Sequence, residues 1–82
     1  MWWPFSKKYD DSQIIACAES ALEIESMLQA KDLSVTSEKG VVMLNGKVRS
    51  RIDKSRATDV VLNSLTGASL KFERIVDNIV VN

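Results

Sequence analysis

This 82-residue chain contains no histidine, one cysteine, one proline and three glycines. Without histidine it lacks the commonest general base and the commonest metal ligand. A single cysteine, Cys17, excludes an internal disulfide and any thiolate cluster. No apolar run reaches the roughly 18 residues of a membrane span. The opening Met1-Trp2-Trp3-Pro4-Phe5 gives way to Ser6-Lys7-Lys8 too soon for a secretory signal. A chain of this length buries only roughly 60–65% of the surface it exposes when unfolded, so its aliphatics are needed for the core. An interior catalytic pocket is therefore not expected, nor is a cofactor or a metal site.

Charge is balanced in sum, with 11 basic and 11 acidic residues, and uneven in space. Asp10, Asp11, Glu19, Glu23 and Glu25 form an acidic stretch without a base. Lys47, Arg49, Arg51, Lys54 and Arg56 form a basic one interrupted only by Asp53. Zero net charge and the absence of aromatics among these bases argue against nucleic acid. They suit a smaller anionic group, because five bases gather around an expected helix N-terminus whose amides attract anions. The simpler account of them is a plain solvated helix face.

Four of the five aromatics (Trp2, Trp3, Phe5, Tyr9) lie in the first nine residues. Residues 1–10 thus read as an aromatic and basic arm, and residues 11–82 as one domain. Trp2, Trp3 and Phe5 beside Lys7 and Lys8 have the composition of an interfacial anchor on anionic lipid, or of a partner-binding segment. The competing reading folds the arm back over the sheet's open face, or packs Phe5 against the first helix as a staple. Partial packing of the arm is expected, with at least one of Trp2 and Trp3 accessible.

Asp10 or Asp11 caps a helix, with Gln13 in the capping-box position after Asp10. Ile14, Cys17, Ala21, Ile24 and Leu28 recur at helical spacing, with Ile15, Ala18 and Leu22 alongside, and the helix is expected to end near Ala30. Cys17 on that face reads as a small buried hydrophobe. Glu19 and Glu23 fall on the solvent side, and no loop offers converging oxygens for a hard cation. Leu33–Thr36 reads as a strand, Ser37–Gly40 as a turn and Val41–Val48 as a second strand. Val42, Leu44, Gly46 and Val48 form its inward row, where Gly46 implies a bend or the close approach of a helix. Ser50 with Asp53 starts a second helix to about Leu65, with Ala57, Val60, Val61 and Leu65 inside and Gly67 as a left-handed cap. Ile75–Val81 is the last strand. The fold class is α+β in the order α-β-β-α-β. It comprises a three-stranded mixed sheet with two helices on one face and the last strand parallel to the second. The central strand is left open.

Val35 to Val48 (with Gly40-Val41-Val42-Met43-Leu44-Asn45-Gly46-Lys47-Val48 at its heart), the basic Ser50–Ala57 helix start, Gly67-Ala68 and the closing Val76–Val81 together resemble the BON domain. This family is named for bacterial osmotically inducible and nodulation proteins, and the resemblance covers roughly residues 11–82. It implies an αβ sandwich module without enzymatic activity, in periplasmic or membrane-associated bacterial proteins, some of them stress-responsive. The implied partners are a phospholipid surface or another envelope protein. Two further readings stand beside it: a protein–protein assembly domain without a lipid role, weakly homo-oligomeric through a sheet edge or the arm, and a cytoplasmic potassium sensor. The last follows from a relative that pairs a BON-like domain with a second module and binds potassium. The start at Met1 implies a cytoplasmic or peripheral membrane location, and a periplasmic one if the chain is a processed form.

Overall fold

The structure, a computed structural model, describes residues 9–25 and 32–81. It runs α1 (Asp11–Ile24), β1 (Leu33–Glu38), β2 (Val41–Val48), α2 (Arg51–Gly67) and β3 (Arg74–Val81). The strands form one sheet in the order β1-β2-β3, so β2 is central, antiparallel to β1 and parallel to β3. This is the α+β arrangement expected from the sequence.

Strand side chains alternate between faces. Val35, Val42, Leu44 and Ile79 meet Ile14, Ala18 and Leu22 of α1 and Ala57, Val61 and Leu65 of α2 in one buried core. Both helices therefore cover a single face of the sheet, α1 over β1 and α2 over β2 and β3. Leu33, Ile75, Val48, Val60, Leu70 and Phe72 close its rim.

Helix α1 stops at Ile24, short of Ala30, because Glu25 turns extended at φ −69° and ψ 105°. Ile24 is already 80% exposed, so the apolar stripe has rotated off the core by then. The stripe centres on Ile14, Ala18 and Leu22, four residues apart, with Cys17 and Ala21 half-buried beside it. Leu28 lies outside the described residues.

The hairpin turn is shorter than expected. Ser37 and Glu38 end β1, leaving Lys39 (φ 51°) and Gly40 (φ 84°) as the turn. Positive φ at both central residues is what a primed two-residue hairpin needs to match strand twist. Gly46 is indeed a point of close approach, with φ 137°. A Cβ there would stand 2.1 Å from the Asp32 carbonyl oxygen and 2.9 Å from the Leu33 Cα, the backbone entering β1.

Gly67 is not the left-handed cap of α2. It is the last helical residue, and positive φ falls on Ser69 at 58°. The Leu70 amide donates to the Leu65 carbonyl at 3.0 Å, and the Ser69 amide to that of Thr66 at 3.1 Å. This is a Schellman termination with Ser69 as its left-handed residue, and Leu70 packs on the core beyond it. The motif ran two residues further than its glycine because Leu70, not Ala68 or Ser69, can reach the core.

A Cβ at Gly67 meets nothing within 4 Å. Gly67→Ala should therefore stabilise the domain by about 0.5–1 kcal/mol through helix propensity and lost unfolded-state freedom. Gly46→Ala should destabilise it severely. Urea denaturation of the two variants tests both signs.

Candidate functional site

The residues expected to bind a membrane or partner through the arm, Trp2, Trp3, Phe5, Lys7 and Lys8, lie outside the described residues. The arm's root is described. The Tyr9 ring covers Gly40, where an added Cβ would come within 2.7–2.8 Å of its carbons, and its hydroxyl donates to Glu73 Oε2 at 2.5 Å. Asp10, rather than Asp11, caps α1 by accepting from the Gln13 amide at 3.2 Å.

Asp11 is thereby released for a task that its capping reading missed. Its Oδ1 accepts from the Ser37 hydroxyl at 2.6 Å and the Gly40 amide at 3.0 Å. Its Oδ2 accepts from the Lys39 amide at 2.8 Å. One carboxylate thus binds the α1 N-terminus to the hairpin turn. The Gly40 carbonyl in turn accepts from the Glu73 amide at 2.7 Å and fixes the entry to β3.

The basic residues gather at the opposite end of the sheet. By register, Lys47 pairs with Val80 and Val48 with Val81, so β2 and β3 finish side by side where Arg49 and Ser50 lead into α2. Lys47, Arg49 and Arg51 are exposed there. Ser50 caps α2 by accepting from the Asp53 amide at 3.2 Å. Arg51 and Lys54 line a shallow groove with Thr58, Asp77 and Val81, and Thr58 Oγ1 donates to Asp77 Oδ2 at 3.3 Å. Arg56 lines the other flank of α2, in a groove with Arg51, Ile52, Asp59, Val60 and Asn63. The five bases expected as one anion-binding group therefore lie on two flanks of α2, Lys54 on one and Arg56 on the other with Arg51 on both, while Lys47 and Arg49 stand at the strand end.

Exposed aliphatics share the basic end: Ile52 is 68% exposed, Val80 54% and Val81 39%. Ile52 stands outside the inner stripe of α2 and Val80 alternates with the buried Ile79, a signal that could have found them. The basic end and the arm's root lie at opposite ends of β2, about 23 Å apart for eight residues of strand.

Cys17 is half-buried rather than sealed in the core. Its Sγ lies 2.9 Å from Ser64 Oγ, joining α1 to α2. Glu19 and Glu23 are exposed and Glu25 is half-buried. Among the described residues no group of three or more acidic or cysteine side chains could hold a metal ion, and no helix is long and apolar enough to cross a membrane.

A family model of the BON domain matches residues 10–82, and the chain belongs to that family. The match begins at Asp10, the cap of α1, and takes in both ends of the sheet. Comparison with curated proteins returned no match. BON domains are generally non-enzymatic, occur in periplasmic or membrane-associated bacterial proteins, and are associated with phospholipid binding.

Asp11→Ala removes three hydrogen bonds to a charged acceptor and should destabilise the domain by about 2–3 kcal/mol. Asp10→Ala removes one capping bond and should cost about 1 kcal/mol. Chemical denaturation that ranks the two the other way would contradict the assignment of cap and clamp.

Proposed function

We propose that this BON domain is a non-enzymatic module that docks on anionic phospholipid surfaces through the end of the sheet bearing Lys47, Arg49 and Arg51. The observation that carries this reading is the juxtaposition of those three exposed bases with Ile52, Val80 and Val81. Each base near an anionic surface contributes about 1 kcal/mol. The aliphatics can enter the boundary between headgroups and acyl chains. Neither element suffices alone, and the combination describes reversible peripheral binding. Lys54, in the groove beside Val81, adds a fourth positive charge to the same end. The arm, rooted at the far end, is a separate surface in this reading.

Co-sedimentation with phosphatidylglycerol-containing and pure phosphatidylcholine vesicles tests it. The protein should bind the anionic vesicles at low salt and release them as salt rises. Arg49→Gln with Arg51→Gln should weaken binding roughly 30-fold, the equivalent of about 2 kcal/mol. Removing residues 1–8, which spares Tyr9, should change it little. Equal binding to neutral vesicles would defeat the proposal, and loss of binding on removing the arm alone would transfer the role to Trp2, Trp3 and Phe5.

A further inference from the structure

Both helices cover one face of the sheet, and no described element covers the other. Strand alternation assigns that outer face in three cross-strand rows: Glu38–Val41–Arg74, Thr36–Met43–Val76 and Ser34–Asn45–Asn78. Two independent contacts confirm the alternation. Ser37 bonds to Asp11 of α1 and Asp77 to Thr58 of α2, so their strand neighbours Thr36, Glu38, Val76 and Asn78 face away from the helices. Val41, Met43 and Val76 make an apolar centre, and amides and hydroxyls follow in the next row. The first row is charged at both edges and with opposite sign, Glu38 on β1 and Arg74 on β3.

That arrangement is self-complementary. A two-fold axis running along β2 lays β1 of one copy over β3 of the other at the same height. Met43 then meets the partner's Met43, Thr36 meets the partner's Val76, and each Glu38 comes over the partner's Arg74. We propose that the outer face is the contact between two copies of this chain, packed sheet on sheet and held in register by reciprocal Glu38–Arg74 pairs. Aligned sheets cross at about 30°, which keeps the central rows in contact and the paired charges within side-chain reach. Lys47 falls on the same axis beyond the Asn45 row, so like charge bounds the contact there and leaves that end to solvent.

Three strands by three rows cover about 14 by 20 Å, or roughly 300 Å² per copy. This is below the roughly 1,000 Å² in total of a stable complex, so the dimer is a weak one that forms at high local concentration. Because the axis follows the strands, both basic ends point the same way, and a dimer presents two of them to one surface. That consequence rests on the lipid reading, whereas the dimer does not.

Sedimentation velocity of the full chain without lipid, from roughly 10 µM to about 1 mM, should show reversible association across the range. Met43→Lys should be monomeric throughout. Glu38→Arg and Arg74→Glu should each weaken association at least threefold, and the double variant should recover it because the charges are merely exchanged. Circular dichroism establishes that each variant is folded. A chain monomeric at the highest concentration, association untouched by Met43→Lys, or a double variant no better than the singles would each overturn the proposal. Vesicle binding that fails while the dimer persists would remove only the lipid reading.

Discussion

Gly40 is the position on which the rest of the molecule depends. Its amide is held by Asp11, its α-carbon lies under the Tyr9 ring and its carbonyl takes the Glu73 amide. Helix α1, the β1–β2 hairpin and the lead-in to β3 are thus tied at one residue. No other amino acid fits, since a Cβ would meet the ring at under 3 Å and φ is +84°. The contacts are long in sequence, 29 residues from Asp11 and 33 to Glu73. Closing such loops is entropically costly, and concentrating the polar contacts at one turn lets a small core carry the remainder. Among the described residues the opposite end has no such knot: Ser50 caps α2 locally and Lys47, Arg49 and Arg51 face solvent. The domain is therefore fastened at one end and presents charge at the other.

What the sequence disclosed follows from how local the deciding physics is. Helix starts were legible because a cap needs only a side chain and an amide three residues on, as at Asp10–Gln13 and Ser50–Asp53. The inward row of β2 was legible because alternation is a property of the strand itself. Helix ends were not. In the sequence the apolar stripe of α1 runs on through Ile24 and Leu28, and only the tertiary position of the sheet shows that Ile24 has already turned to solvent. At Gly67 the glycine suggested a left-handed cap, yet the cap fell where Leu70 could reach the core and Ser69 took the strained conformation instead. Asp11 is interchangeable with Asp10 as a cap at the level of sequence, because its partners lie 26 to 29 residues away, at the end of β1 and in the hairpin turn.

The basic stretch shows the same division between local and tertiary information. Five bases within ten residues read as one group, but a strand, a loop and a helix distribute them differently. Strand alternation puts Lys47 on the outer face, and the 100° step of α2 carries Arg56 to the flank it shares with Arg51 and Ile52 while Lys54 stays beside β3. The aliphatics that complete the end cluster come from the far end of the sequence: Val80 and Val81 join it only because β3 runs parallel to β2 and in register with it. Parallel pairing is what brings the last residues of β3 to the start of α2.

Zero net charge does not count against docking on an anionic surface, because the surface senses only nearby charges. At physiological ionic strength the Debye length is about 8 Å. Asp10, Asp11, Glu38 and Glu73 sit at the hairpin end, about 23 Å of strand away from Lys47. Across that distance their repulsion is screened several-fold more strongly than the attraction of bases at the surface. Asp11 is further occupied by three hydrogen bonds, and Glu73 receives the Tyr9 hydroxyl. The fastening of one end thus draws its acids into the fold, while at the other end Asp53, in the first turn of α2, and Asp32, at the entry to β1, reduce the charge of Lys47, Arg49, Arg51 and Lys54 without cancelling it.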